Sequence, residues 1–412
     1  MESVMPSEID GTASAPASKS MMQRAVAAAA LAEGKSVISN PSFCEDALSS
    51  IRCAEAIGAK VTVKGDRVAI AGGGKPVGCA LDCGESGLCM RMFSPIAALF
   101  GNELSLRAKG SLKKRPAGFM EGPLRLLGAS CSTRGGFPPV VVKGPLHGGE
   151  ITVDCSQSSQ FLTGLLMALP LCREDSRVAA SGLKSRPYVR MTIGLLEKFG
   201  CTVGADRQLG RFGIEGKQRY RHTNYEVEGD WSGASFLLAA GAIAGRASVT
   251  GLRADSLQAD RKILEALRKA GALVKVSGNA VSAERGDLRA FRFDATDCPD
   301  LFPPLAALAC YCRGKSRILG AGRLKGKESD RASSLVSELG SMGASIRVKG
   351  DAMEIRGGKL RGGKVDPHGD HRIAMACAIA ALGSEDGARI NKHECVSKSF
   401  PGFFEELGRL GA

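Results

Sequence analysis

One tryptophan and four tyrosines stand among the 412 residues, and aromatics reach only 5%. Stacking platforms for single-stranded nucleic acid are therefore scarce. Blocks of like charge are missing too; basic runs such as Lys113-Lys114-Arg115 stay short. That excludes a charged binding tail. No uncharged apolar run reaches the roughly 18 residues that a membrane span needs. The five histidines are few, and the fourteen cysteines do not fall into paired ligand spacings, so no metal site is expected. Many cysteines, such as Cys172, Cys310, Cys312 and Cys377, sit in apolar runs, where Cys behaves as a small hydrophobe. Reduced thiols and a cytoplasmic setting are the expectation. The opening MESVMPSEID has no basic stretch followed by an apolar core, so no secretory signal is expected.

What is present fits a globular protein of two or three domains: 44% hydrophobic and 24% charged residues. The net charge of +14 attracts anions, whether phosphorylated metabolites, nucleic acid or acidic membranes. The basic residues are scattered, which favours small anions over a nucleic-acid stripe.

The chain repeats itself. Apolar-periodic segments end in Gly58-Ala59, Gly128-Ala129, Gly200-Cys201, Gly271-Ala272, Gly343-Ala344 and Gly411-Ala412, at spacings of 70, 72, 71, 72 and 68 residues. A β-rich stretch such as KVTV, TVG, LVKV or SIRV follows each of the first five. Glycine is the expected stop after an amphipathic helix, because it tolerates left-handed backbone. Ala/Leu-rich helices recur in step near 25–33, 92–100, 162–171, 235–244, 303–311 and 373–382, each followed by a short strand. This period exceeds the 20–50 residues of solenoid repeats. Two α/β domains of three units each are expected. One covers 16–228; the other combines 1–15 with 229–412. The sixth unit lacks a closing strand, which the N-terminus is expected to supply.

Before each Ala-rich helix stands a small polar or charged segment: SKSMMQR, GESGLCMR, SSQFLTG, GDWSGAS, CPDLFPP and GDHRIAM. Ser158, Asp230 and Asp370 read individually as helix caps. Six equivalent helix starts also offer free N–H groups and positive dipole ends to anions. Arg24, Arg91 and Arg372 fall in first turns, where the dipole disfavours a cation unless an anion lies between. In KGKESDR, Lys327 and Arg331 are four apart, which on a helix places them on one face with Glu328 beside them.

Taken in order, PASKSMMQR, SSQFLTGLLM, KSRPY, KESDR, GDHRIAM and KSFPGF closely resemble the 5-enolpyruvylshikimate-3-phosphate synthase family, over essentially the whole chain. The resemblance implies an α/β (α+β) fold, a two-domain inside-out α/β barrel with three βαβαββ repeats per domain. It implies transfer of the enolpyruvyl group of phosphoenolpyruvate to the 5-hydroxyl of shikimate 3-phosphate, with loss of phosphate, on the route to chorismate and aromatic amino acids. No cofactor and no metal are implied, and the partners are the two small anions, without nucleic acid or membrane, in a monomer.

Such chemistry needs a proton donor to carbon 3, a base for the 5-hydroxyl, and cations around phosphate and carboxylate. By resemblance, Lys19, Ser20, Arg24, Ser158, Ser159, Gln160, Ser185, Tyr188, Asp300, Arg323 and Lys327 hold shikimate 3-phosphate. Lys19, Gly87, Arg115, Gln160, Arg331, Arg372 and Lys398 hold phosphoenolpyruvate. Asp300 accepts the hydroxyl proton, Glu328 donates to carbon 3, and Lys327 and Lys19 contact the reacting groups. Ser185 and Tyr188 beside Pro187 also read as turn formers, Asp300 after Pro299 as a cap, and His371 as structural.

The chain departs from the usual family pattern at Ala17, at Glu85-Ser86-Gly87-Leu88, and at Arg323. Leu88 removes a hydroxyl beside the phosphoenolpyruvate pocket, and Glu85 adds a negative charge. Both bear on substrate affinity and inhibitor sensitivity, not on the acid–base residues. The related transferase acting on UDP-N-acetylglucosamine, and a nucleic-acid or RNA-end binding protein of similar fold, are the alternatives. SSQFLTG with KSRPY argues against the first. If each domain presents its own basic face to a cleft, shikimate 3-phosphate is expected to draw the halves together.

Overall fold

The sequence period becomes a period of small sheets. The computed structural model describes residues 1–412, which separate into two compact units: Ala17–Val227, and Met1–Pro16 with Glu228–Ala412. Five of the six sheets have four strands and share one plan. In one, Ala80–Asp82 runs parallel to Glu103–Arg107, which pairs antiparallel with Phe137–Lys143, beside Ser130–Arg134.

Two sheets borrow their parallel edge from distant sequence. Asn224–Glu226 runs along Gly34–Ser39, and Ile9–Ser14 runs along Gly245–Thr250. The sixth sheet has three strands, and Glu2–Val4 supplies its antiparallel partner, against Ala388–Ile390.

Helices occupy the interior of each unit. Every residue of Gly87–Ala97 and of His371–Ala381 is buried, as is all of Trp231–Ala244 except Ser232. A helix apolar around its whole circumference belongs in a core. Small residues let such helices pack closely. A Cβ on Gly164, in helix Gln160–Ala168, would stand 2.6 Å from the Met92 carbonyl oxygen. The sheets bury one face; Val140 and Val142 point inward from Phe137–Lys143, while Val141 is only half-buried.

The six repeat glycines all adopt left-handed backbone, with φ of 102° at Gly58, 83° at Gly128, 81° at Gly200, 91° at Gly271, 101° at Gly343 and 99° at Gly411. The expected strand at 202–204 is displaced; the short strand is Gly204–Ala205. The Gln218 side chain explains this. Its amide accepts from the Thr202 N–H at 2.8 Å and donates to the Thr202 carbonyl at 2.9 Å, occupying the groups a sheet partner would use.

Candidate active site

In the unit Ala17–Val227, three interior helices begin beside one another's charged side chains. Ser18 caps helix Lys19–Leu31. Lys19 then pairs with Asp46 at 3.0 Å. Ser86 caps Gly87–Ala97 through the Cys89 N–H and donates to Gln23 Oε1 at 2.8 Å. Ser158 accepts from the Gln160 N–H at 3.2 Å, with buried Ser159 between them.

Arg24 is 1% exposed. Its Nε donates to Thr192 Oγ1 at 2.9 Å, Nη1 to the Ser20 carbonyl at 2.8 Å, and Nη2 to Thr163 Oγ1 and the Tyr188 carbonyl at 3.5 and 3.4 Å. All four partners are neutral oxygens. Burial accordingly lowers its pKa to about 10. A buried cation held only by neutral dipoles is costly and well suited to receive an anion.

Gly87 has a steric reason. A Cβ there would lie 3.0 Å from Arg115 Nη1 and 3.3 Å from Arg91 Nη1. Arg91 Nη1 also donates to Gln160 Oε1 at 2.8 Å, so Gly87, Arg91, Arg115 and Gln160 form one group. Arg115 follows the short helix Gly110–Lys114. Glu85 holds that turn, accepting from the Ser111 N–H at 3.1 Å and hydroxyl at 2.9 Å. The extra acid thus anchors the segment that carries Arg115. Ser185 sits at φ 58° at the start of helix Arg186–Lys198, a left-handed conformation that costs a non-glycine residue roughly 1–3 kcal/mol.

The second cluster lies within the unit Met1–Pro16 and Glu228–Ala412. Arg331, 1% exposed, is its hub. It reaches Asp300 at 2.8 Å, Glu328 at 2.6 Å and Asp370 at 2.9 Å. Asp300 also receives Arg372 at 3.1 Å and lies 3.6 Å from Lys327. Burial pushes the Asp300 carboxyl up, but Arg372, Lys327 and Arg331 outweigh it and hold it well below the usual carboxylate range. Burial lowers Lys327, although Asp300 partly restores it. Burial also opposes the charge on Arg331 and Arg372, yet the surrounding carboxylates raise both. Arg372 Nη1 is buried without a hydrogen-bond partner, a donor left for an anion.

Two local expectations change. Asp330 caps a helix that begins at Arg331, so Lys327 and Glu328 lie in the preceding loop, not on its face. The loop brings them to the hub nonetheless. Asp300 lies in the short helix Pro299–Leu301 and its carboxylate faces Arg331 and Arg372 instead of capping. Asp370 both caps His371–Ala381 and pairs with Arg331, so its cap role was legible and its counter-ion role was not. His371 is buried. Lys398, also buried, ends the turn His393–Lys398, which packs on that helix. Arg323 lies near Lys327 and opposes its charge. Asp260, which no sequence motif marks, is buried near Asp300 with the Ser232 hydroxyl on one oxygen.

Comparison with known proteins shows the family. A sequence model of the family described as EPSP synthase (3-phosphoshikimate 1-carboxyvinyltransferase) matches residues 4–407. The 3-phosphoshikimate 1-carboxyvinyltransferase of Clostridium perfringens is 36% identical over 414 residues, covering 99% of this chain and 97% of that protein. Its counterpart from Aeropyrum pernix is 41% identical over 411 residues, covering 99% and 95%. A solved EPSP synthase from Acinetobacter baumannii superimposes with a TM-score of 0.83 at 27% identity, covering 99% of this chain and 97% of the other.

Proposed function

Because the chain belongs to the EPSP synthase (3-phosphoshikimate 1-carboxyvinyltransferase) family, and so transfers the enolpyruvyl group of phosphoenolpyruvate to the 5-hydroxyl of shikimate 3-phosphate, we propose that its two side-chain clusters divide that reaction between them. The family assignment sets aside the UDP-N-acetylglucosamine and nucleic-acid readings. The Arg24 cluster binds shikimate 3-phosphate: Lys19, Ser20 and Arg24 from one helix, Ser158, Ser159 and Gln160 from the next, Ser185 and Tyr188 from a third. Gly87 leaves room for Arg115, which with Lys19 and Gln160 receives phosphoenolpyruvate.

The Arg331 cluster supplies the proton chemistry. Before substrate binds, Asp300 is a poor base because three cations hold its charge. Phosphoenolpyruvate draws Arg331 and Arg372 toward its phosphate and carboxylate, joined by Lys398. Asp300, relieved of those cations, accepts the 5-hydroxyl proton. Glu328, released from Arg331, takes up a solvent proton and delivers it to carbon 3, and the hydroxyl oxygen bonds to carbon 2 as the carbon 2–carbon 3 double bond is consumed. Lys327 and Arg323 face the oxygens of the resulting tetrahedral intermediate. Phosphate then leaves with the proton held by Asp300, as the methyl group returns its proton to Glu328 and the enol ether forms.

The observation that carries this division is Arg24, a buried guanidinium with only neutral partners. Arg24→Met removes the charge without breaking an ion pair, so the fold is expected to persist. Calorimetric titration with shikimate 3-phosphate is expected to show binding weakened roughly 10- to 100-fold. Unchanged binding in the folded variant contradicts the assignment. The protein acts as a monomer in the cytoplasm, a setting that its fourteen unpaired cysteines support.

A further inference from the structure

Beneath the turn that presents Gly87, three thiols meet. Cys53 comes from helix Glu45–Ala56, Cys83 follows strand Ala80–Asp82, and Cys89 lies in the first turn of helix Gly87–Ala97. All three side chains are fully buried. Cys53 Sγ stands 3.9 Å from Cys83 Sγ and 3.5 Å from Cys89 Sγ, and the three sulfurs lie within 4.8 Å of one another. No pair is joined as a disulfide.

Those separations match a metal site. Sulfurs at the usual 2.3 Å from a tetrahedral zinc stand about 3.8 Å apart. We propose that Cys53, Cys83 and Cys89 form a three-thiolate site for a soft, closed-shell cation, Zn2+ or Cu+. No histidine or carboxylate joins the group, so the ligand set is all sulfur and selects thiophilic ions over Mg2+ or Ca2+. Each ligating thiol gives up its proton to the solvent as the metal–sulfur bond forms. The N-terminal end of helix Gly87–Ala97 and Arg52 offset the negative charge of the thiolates, against the nearby Asp82 carboxylate, which adds to it.

The position gives the site a consequence. Cys83 and Cys89 bracket Gly84–Leu88, the turn that carries Glu85, Ser86 and Gly87. The Cys83 carbonyl accepts from the Ser86 N–H at 3.0 Å, and Ser86 caps the helix through Cys89. A metal tied to both ends therefore fastens the turn against helix Glu45–Ala56. The ligands are 30 and 6 residues apart and belong to three elements, so no short sequence spacing signals them.

The test is metal content of the full-length protein. It is produced under reducing conditions with Zn2+ or Cu+ supplied in separate preparations, dialysed, and assayed by mass spectrometry. About one ion per chain is expected, with an X-ray absorption edge showing about three sulfur neighbours near 2.3 Å for zinc. Cys53→Ser and Cys89→Ser are expected to lose that ion, whereas Cys155→Ala and Cys201→Ala, buried thiols outside the group, keep it. Wild type that retains less than about a tenth of an equivalent of either ion overturns the proposal. So does an edge dominated by nitrogen or oxygen neighbours, a result independent of whether any variant folds.

Discussion

Asp260 is a buried acid with little to hold it ionised. Burial raises its pKa to about 7; Asp300 and Asp230 add to that, while Arg372 and the Ser232 hydroxyl oppose it. In the unfolded chain it titrates near 3.9. A carboxyl raised on folding contributes stability that is fully present below about pH 4 and is lost as pH rises through about 7. Asp260→Asn stays neutral, so it is expected to gain stability relative to wild type above pH 7. Denaturant midpoints for both proteins at pH 5.5 and 8.5 check this, and parallel pH dependence excludes it. Glu85 makes a second residue-scale case. Its carboxylate accepts from the backbone N–H and the hydroxyl of Ser111, ahead of Arg115. Glu85→Asn loosens that turn. The KM for phosphoenolpyruvate is expected to rise several-fold with little change in KM for shikimate 3-phosphate, in steady-state kinetics with each substrate varied. Equal effects on both place Glu85 elsewhere.

At the scale of elements, the repeat glycines separate two causes of the same preference. Gly343 has φ 101° but a Cβ there meets nothing nearer than 3.5 Å, whereas at Gly271, φ 91°, it stands 2.3 Å from the Asp287 carbonyl oxygen. Gly343→Ala therefore costs only the left-handed backbone, about 1–2 kcal/mol. Gly271→Ala adds a clash with backbone and is expected to cost distinctly more in urea unfolding; equal costs contradict the steric argument. These glycines also mark what sequence alone reveals. Helix stops and apolar helices have local signatures, so the six units and their interior helices were legible. The motif residues at helix starts were legible because chemistry fixes their types. Charge spacing does not report where a cap falls, so Lys327 and Glu328 lie in the loop before the helix although their spacing from Arg331 suits a helix face. The strand expected at 202–204 failed because Gln218, distant in sequence, takes its hydrogen bonds. Asp260, the Asp370 counter-ion role and the cysteine group depend on side chains converging from separate elements, which no window of sequence contains.

For the whole molecule, the charge of +14 and the arrangement of cations point the same way. Excess positive charge attracts two anionic substrates at long range. The buried part of that charge is divided: Arg24 without a carboxylate, and Arg331 surrounded by three. The first is suited to binding, the second to exchanging partners as substrate arrives. The most direct test mixes wild type, Asp300→Asn and Glu328→Gln with shikimate 3-phosphate and phosphoenolpyruvate, following phosphate release with the product identified by phosphorus NMR. Wild type is expected to form the enolpyruvyl product with one phosphate released per turnover. Both variants should still bind shikimate 3-phosphate but turn over roughly 100- to 10,000-fold more slowly. Turnover in either variant matching wild type contradicts the acid–base assignment at that residue.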